Sequence, residues 1–276
     1  MIPQANIIAW RANVPWVDDA QVEQDLVLSR AAVELFADGD LAGKIALRGG
    51  TSLHKLFLQS PHRYSEDIDL VQTVAGPIGS IIDAMRANLD HWLGKPKRER
   101  SRGTVTVTYR FESEIPPIRP MRLKIEINTR EHFSLLGLKL RRFVVANPWF
   151  TGECDITTFE SDELLATKLR ALYQRRKGRD LFDLWLCIKQ GVIEPQRLID
   201  CFVEYMNREG NPLTRAQFEQ NLHEKKADLA FLSDIGPLLR PGLSYDAATA
   251  IDVVRTSLID LLPGEPWRGT PIENPA

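Results

Sequence analysis

The pattern of apolar residues changes once along this chain, near residue 155, and the change limits the folds available to it. Before that point, alternating segments typical of strands (44–48, 67–71, 104–111, 121–128) are interspersed with segments of helical spacing (20–38, 79–93). After it only helical patterns follow, at 162–176, 179–190, 196–208, 214–232 and 244–262. The sequence therefore predicts an α+β domain over residues 1–155 and a helical domain over residues 156–276.

Finer features of the first domain follow from the same patterns. The segments 104–111 and 121–128 alternate well enough to predict an antiparallel pair of strands, and 143–146 and 156–159 are predicted to add short edge strands. The expected architecture is a mixed or antiparallel sheet with flanking helices. The proline-rich last dozen residues predict a poorly ordered tail.

Composition places the chain among ordinary globular proteins. Its 276 residues are 43% hydrophobic and 26% charged, with a net charge of −2, which neither favours nor excludes a nucleic-acid partner. Cys154, Cys187 and Cys201 are widely spaced, which argues against a disulfide framework or a zinc site and favours a reducing compartment. No signal-like start and no apolar stretch of about 20 residues is present, so a cytoplasmic protein without membrane association is expected.

Two carboxylates stand one residue apart in the apolar segment 67–71. Alternate side chains of a strand share a face, so Asp67 and Asp69 are predicted to point one way while Ile68 and Leu70 point into the core. Like charges this close repel each other unless a cation lies between them, and carboxylate oxygens suit Mg²⁺ or Mn²⁺. Taken alone, the pattern also fits a solvated strand edge.

A glycine-rich turn precedes these acids. The short strand 44–48 is stopped by Gly49 and Gly50, and helical spacing resumes at Ser52. The backbone N–H groups of such a turn, with the hydroxyls of Thr51 and Ser52, are placed as a bound phosphate requires. A Gly-Gly pair alone is typical of any turn. Together with the two acids, it predicts a phosphate cradle and metal ligands for one nucleotide.

A third acid lies in the alternating segment 121–128. Leu123, Ile125 and Ile127 share one face of this strand, so Glu126 projects from the opposite face. An outward glutamate is commonly solvated surface. Beside the two aspartates, however, it would supply enough ligands for two metal ions that stabilise an in-line displacement at phosphorus.

Two of the predicted helices in the second domain carry charges in apolar surroundings. Lys168 lies on the inward edge of the leucine stripe of segment 162–176, where a lysine either extends to solvent or holds its ammonium against phosphate. Asp180 and Asp183 are three residues apart on the next helix. Asp183 has an i,i+4 partner in Arg179, so a structural role suits it, and Asp180 is the favoured functional acid of the two.

Basic clusters at 95–102 and 175–179 provide a candidate surface for a second, polyanionic substrate. Such runs are also typical of solvated loops. No RNA-recognition motif or helix-turn-helix signature accompanies them, so they indicate no sequence specificity.

The chain resembles the AbiEii/AbiGii-type nucleotidyltransferase toxins, including the MenT-like toxins, within the superfamily of DNA polymerase β. Four segments carry the resemblance, spread over residues 47–190: Gly49-Gly50-Thr51 with Ser65-x-Asp67-x-Asp69, Ile125-Glu126-Ile127, the lysine helix Leu164–Leu172, and Arg179-Asp-Leu-Phe-Asp-Leu184. The resemblance implies a polymerase-β-like core followed by a helical domain that contributes Lys168 and Asp180 to the cleft.

The resemblance also implies an activity, in which an NTP is the substrate and Mg²⁺ or Mn²⁺ the cofactor. The implied metal ligands are Asp67, Asp69 and Glu126; the implied nucleotide-binding residues are Gly49, Gly50, Thr51, Ser52, Ser65 and Lys168; and Lys168 and Asp180 join the three acids as catalytic residues. The expected protein transfers a nucleoside monophosphate to an acceptor hydroxyl, with the 3′ end of tRNA as the expected acceptor. As a type IV toxin, it would be paired with an antitoxin protein.

Other functions fit part of the same pattern. A module that binds GTP or another NTP and acts through a protein partner would need the cradle but not Glu126. Nucleotide transfer to a protein would use the same residues with a different acceptor. Metal-dependent phosphoester hydrolysis would use similar acids but leaves the Gly-Gly-Thr-Ser sequence unexplained.

Overall fold

The computed structural model describes residues 2–269 and divides them into two compact units. The first extends to Glu160 and includes Arg240–Gly242, and the second comprises Ser161–Leu239 and the described residues from Leu243 onward. The first contains a seven-stranded sheet with helices, and the second is helical. The predicted α+β class, with a mixed sheet followed by a helical part, is confirmed.

The sheet of the first unit has the strand order β3-β4-β5-β2-β1-β7-β6. Its strands are β1 Ile45–Arg48, β2 Asp67–Gln72, β3 Lys97–Ser101, β4 Thr104–Glu112, β5 Pro120–Asn128, β6 Leu138–Asn147 and β7 Phe150–Phe159. The β2–β5 and β1–β7 pairs are parallel, and the other neighbouring pairs are antiparallel. The predicted antiparallel pairing of 104–111 with 121–128 is confirmed.

Apolar residues on alternate positions form the core of this unit. Ile68, Ile125 and Val107 are fully buried on neighbouring strands, and helices cover that face of the sheet. The helices of this unit are α1 Gln4–Trp10, α2 Asp19–Ala37, α3 Gly39–Ala42, α4 Gly49–Ser52 and α5 Gly79–Leu93. Residues Leu53–Phe57 continue α4 as a π-helical turn. The opposite face of β2, β5 and β4 carries the polar residues of the alternation.

The second unit packs amphipathic helices around its own apolar core. Its helices are α6 Ser161–Gln174, α7 Gly178–Lys189, α8 Pro195–Arg208, α9 Arg215–Lys226, α10 Leu229–Ser233 and α11 Ala247–Ser257. Leu169, Phe182 and Phe202 are fully buried at the centre. No helix in the described part of the chain combines the length and apolar character needed to cross a membrane.

Several local predictions were wrong. The segment 214–232 forms two helices because Asp228 caps a new helix, accepting hydrogen bonds from the backbone of Ala230 and Phe231. Strand β7 is not an edge strand, since it lies between β1 and β6. The basic run 95–102, for which a solvated loop was one alternative, contains edge strand β3, whose residues are exposed. The predicted disordered tail falls largely on residues 270–276, outside the described residues.

Candidate active site

Strands β2 and β5 bring the predicted acids together on one face of the sheet. In their parallel register Asp69 is opposite Glu126, and Asp67 is opposite Lys124. All of these side chains are on the half-exposed face, because the residues between them are fully buried. Two strands distant in sequence thus present a row of carboxylates to solvent.

Lys124 lies between two of these carboxylates. Its Nζ is 3.3 Å from Asp67 Oδ2 and 3.3 Å from Glu126 Oε2. Partial burial acts to lower the pKa of Lys124, but the two carboxylates outweigh this effect and the pKa is raised. The pair of acids therefore already binds a cation, supplied by the protein itself.

The donor set fits a divalent metal ion in its chemistry, since hard carboxylate oxygens from adjacent strands converge around one cation. Within residues 2–269, no group of three or more potential ligands is gathered into a ready-made metal site. The ammonium group of Lys124 occupies the position between Asp67 and Glu126 in this conformation. Metal binding there requires the lysine side chain to move.

The glycine turn fits closely against this row. Gly49 has φ +77, and a Cβ atom at this position would collide with the carboxylate of Asp69. A Cβ atom on Gly50 would collide with the guanidinium of Arg63, which is buried and donates a hydrogen bond to the Tyr64 carbonyl at 3.0 Å. The positive φ of Gly49 favours glycine at that position, and the close approach brings the backbone of the turn next to Asp69 and Arg63.

The hydroxyls of the turn bind the protein itself. Thr51 Oγ1 donates to the Asp67 carbonyl at 2.6 Å and lies 2.9 Å from Ser65 Oγ. Ser52 Oγ is 2.8 Å from Thr158 Oγ1, and both side chains are buried. These bonds fasten the turn to β2 and β7. The predicted contact of both hydroxyls with phosphate stays a prediction, and the bonds they make here are its structural alternative.

The second unit holds Lys168 in a buried ion cluster. Lys168 Nζ is 3.3 Å from Asp180 Oδ1 and 3.1 Å from Asp183 Oδ2, and both aspartates are fully buried. Arg175 adds hydrogen bonds of 2.7 and 2.9 Å to Asp180. Burial acts to raise the pKa of Asp180, but Lys168 and Arg175 together lower it. Lys168 therefore does not extend to solvent, and both aspartates contact it.

The basic cluster 175–179 is largely paired with acids of the helical unit. Arg176 lies 3.3 Å from Asp228, and Lys177 lies 3.4 Å from Asp234. The two basic side chains remain at least half exposed, so the ion pairs are weak and compete with solvent. The role of this cluster in binding a second substrate remains a prediction.

Sequence reasoning gave no role to Lys124 or Arg63, although both have a signal in the sequence. Lys124 is two residues before Glu126, so strand alternation already puts it on the same face. Arg63 precedes the acidic segment, but only the folded chain places its guanidinium against Gly50. Arg48 was also missed: it is opposite Asp69 and forms a 2.6 Å ion pair with Glu131.

Comparison with solved structures finds the same fold in nucleotidyltransferases. The chain is similar to MenT4, a nucleotidyltransferase toxin from Mycobacterium tuberculosis, with 16% identity, a TM-score of 0.66 and coverage of 95% of this chain and 90% of that one. It is also similar to a structure from H. pylori described as a nucleotidyltransferase, with 16% identity, a TM-score of 0.57 and coverage of 86% and 92%. The fold is therefore that of a nucleotidyltransferase. No curated protein sequence matches the chain.

The particular family follows from the sequence match. Residues 30–253 match the family described as "Nucleotidyl transferase AbiEii toxin, Type IV TA system". This match spans most of the chain and includes β1, β2, β5, α6 and α7. The protein belongs to the AbiEii family of nucleotidyltransferase toxins, as its resemblance in sequence implied.

Proposed function

We propose that this protein transfers a nucleoside monophosphate from an NTP to a hydroxyl group of RNA, with Mg²⁺ or Mn²⁺ as cofactor. The observation that carries the proposal is the register of β2 with β5, which aligns Asp69 with Glu126 beside the Gly49–Gly50 turn. Carboxylates alone would suit many cation sites. Carboxylates next to a backbone turn of two closely packed glycines suit a cation bound together with a polyphosphate.

The residues of the first unit have separate parts in this reaction. The backbone of Gly49 and Gly50, at the start of the helix that continues through Thr51 and Ser52, holds the triphosphate, and Ser65 supports the turn through Thr51. Asp67, Asp69 and Glu126 are the metal ligands. A bound divalent cation would supply charge stabilisation at the phosphates. Lys124 would move away from these carboxylates to leave room for that cation.

The chemical step is an in-line displacement. Glu126 accepts the proton of the acceptor hydroxyl, whose oxygen forms a new bond to the α-phosphorus. The bond from that phosphorus to the bridging oxygen of the β-phosphate breaks, and pyrophosphate leaves with the bonding electrons. Asp67 and Asp69 would keep the cation bound during this step.

Lys168 and Asp180 are proposed to act as a pair in the helical domain. Lys168 is the cation that offsets charge on the phosphates, and Asp180 positions it, with Asp183 as the alternative acid. The domain boundary proposed from the sequence, at 155/156, is close to the division between compact units at Glu160 and Ser161.

The biological context belongs to the same proposal. The acceptor is proposed to be RNA, and specifically the 3′ end of tRNA, which would make the transfer toxic by blocking a functional RNA terminus. A cognate antitoxin would restrain the activity, as membership of a type IV toxin–antitoxin family suggests. The cytoplasm is the proposed location, because NTP and tRNA are found there.

The proposal is tested with purified protein, Mg²⁺, total RNA and each α-labelled NTP in turn. The wild-type protein is expected to label the RNA. The Asp67→Asn variant is expected to leave the RNA unlabelled. Label in a protein band would contradict the RNA acceptor and favour protein modification. An NTP that binds but remains intact under all conditions would contradict transfer and favour a nucleotide-binding module that acts through a partner.

A further inference from the structure

A cleft of about 540 Å³ opens at the ends of three neighbouring strands, where β2 and β5 begin and β4 ends. It belongs entirely to the first unit. The start of α2 forms one wall and the strand ends form the other. Its strand-side lining includes Arg110 and Phe111 of β4, Met121 and Arg122 of β5, and Tyr64 and Glu66 before β2. Arg110 and Arg122 share one face of the sheet and Phe111 and Met121 share the other, so the cleft extends around the ends of these strands.

Two arginines of this cleft lie side by side on neighbouring strands. Arg110 of β4 and Arg122 of β5 are partners in the antiparallel register. Like charges directly opposite on neighbouring strands destabilise a sheet. Within residues 2–269, neither guanidinium has an ion-pair partner within 4.0 Å, and both side chains are exposed. The pair is arranged to share an anion that the protein does not itself provide.

The third arginine of the cleft is already neutralised. Arg119 Nη1 lies 2.7 Å from Asp18 Oδ2, and this ion pair forms part of the opposite wall. Glu66 is the remaining acid of the lining. Arg110 and Arg122 therefore leave the cleft with an excess of positive charge. Guanidinium groups bind phosphate oxygens in a forked geometry, so phosphate is the anion that suits this pair.

The arginine pair lies on the side of the acids away from the proposed triphosphate cradle, where the acceptor is expected to bind. Arg122 is two residues before Lys124 on β5, so both side chains share a face and their Cα atoms are about 7 Å apart. The Gly49–Gly50 turn follows β1, on the other side of β2 from β5 and β4. The acids of β2 therefore separate the proposed triphosphate cradle from the arginine pair.

We propose that the cleft at Arg110 and Arg122 binds backbone phosphates of the acceptor RNA strand next to its reactive end. This inference rests on the proposed function, in which the acceptor is RNA. Phosphates are held by the two guanidinium groups, which lie on the face of the sheet that also carries Lys124 and Glu126.

The test measures RNA binding without NTP, by fluorescence anisotropy of a labelled single-stranded oligonucleotide at several salt concentrations. The double variant R110A/R122A is expected to bind at least tenfold more weakly. Its salt dependence should be shallower, by about 1.4 in log–log slope for two lost phosphate contacts on a single strand. R110K/R122K, which keeps the charge without the fork, should fall between the two.

A matched control is available in the same unit. Arg86 of α5 and Arg142 of β6 are about half exposed and belong neither to the cleft nor to the basic clusters 95–102 and 175–179. The variant R86A/R142A removes the same charge and is expected to bind RNA within twofold of the wild type. An equal loss of RNA affinity in both double variants would show that only net charge matters, and this result would overturn the inference.

Other outcomes separate the cleft from the reaction. If the wild type transfers nucleotide but R110A/R122A binds RNA as the wild type does, the assignment of the cleft is overturned. A rise in the KM for NTP instead of the KM for RNA would overturn it as well. RNA binding that depends on Arg110 and Arg122, without transfer by the wild type, would support the cleft and contradict the proposed function. Thermal melting of each variant establishes that it is folded.

Discussion

Two regions of this protein contain the same arrangement, a lysine between two carboxylates. In the sheet, Lys124 lies 3.3 Å from Asp67 and from Glu126, and in the helical unit Lys168 lies 3.3 and 3.1 Å from Asp180 and Asp183. The difference is exposure. The side chains of the first cluster are 22–38% exposed, whereas those of the second are 0–8% exposed.

This difference assigns different physical roles to similar groups. A carboxylate that loses its partner near the surface is solvated by water, so its ion pair contributes little to stability and can be exchanged for another cation. A buried carboxylate that loses its partner is left uncompensated, at a large cost. The sheet cluster is therefore suited to binding and chemistry, and the helical cluster first of all stabilises the fold.

The largest expected effect is on activity, at the exposed cluster. Asp67→Asn preserves size but removes the charge on which metal binding depends, so transfer is expected to fall about 10⁴-fold, which corresponds to several kcal/mol of lost charge stabilisation. Initial rates of label incorporation measure this effect. Asp155→Asn, at an exposed acid of β7, is the control and should retain the wild-type rate. Transfer by Asp67→Asn within tenfold of wild type would remove Asp67 from the site.

The next effect is on stability, at the buried cluster. Asp180→Ala removes a fully buried carboxylate that contacts both Lys168 and Arg175, so the free energy of unfolding is expected to fall by about 3–5 kcal/mol. Urea denaturation followed by circular dichroism measures it. In the same assay Asp67→Asn should lose no more than about 1 kcal/mol. Equal losses of unfolding free energy in the two variants would contradict the difference in role proposed for the two clusters.

A smaller effect is expected on metal affinity. In Lys124→Gln the competing ammonium is absent, so Mn²⁺ should bind roughly threefold to tenfold more tightly in the absence of nucleotide, since each partly exposed ion pair contributes about 0.2–1 kcal/mol. Isothermal titration calorimetry gives the Kd. Weaker binding by Lys124→Gln would mean that Lys124 assists the cation instead of competing with it.

The last effect concerns Glu23, a buried acid of α2. Glu23 is fully buried and accepts a hydrogen bond from the Glu114 backbone at 2.9 Å, while its Oε1 has no partner in the described part of the chain. Burial raises the pKa of Glu23 to about 7. The folded state then binds more protons than the unfolded state between pH 4.5 and 7, so stability should decrease as pH rises across that window.

Glu23→Gln is expected to flatten this dependence, so that the variant gains stability relative to wild type at pH 8 compared with pH 5. Thermal melting across this range measures the difference. A parallel pH profile for the two proteins would show that Glu23 does not titrate as its burial indicates.

Strand alternation explains why much of this arrangement could be predicted from sequence. Period two placed Asp67, Asp69 and Glu126 on outward faces, and the observed register agrees. Helical spacing placed Lys168 on an inward edge, where it is buried. These inferences succeed because the direction of a side chain within one element depends on local geometry alone.

Features that depend on pairing between distant segments could not be predicted in the same way. The parallel alignment of β2 with β5 brings Lys124 to Asp67, and the antiparallel alignment of β4 with β5 brings Arg110 to Arg122. No local pattern specifies either register. The internal bonds of Thr51 and Ser52 likewise involve Asp67 and Thr158, which are distant along the chain.

The most direct test of the account is anomalous scattering from Mn²⁺ in crystals of the protein grown with a non-hydrolysable NTP analogue. The account predicts a peak within ligand distance of Asp67 and Asp69, with Glu126 nearby and Lys124 moved away from both Asp67 and Glu126. A well-occupied Mn²⁺ site elsewhere, with Lys124 still between its two carboxylates, would contradict it.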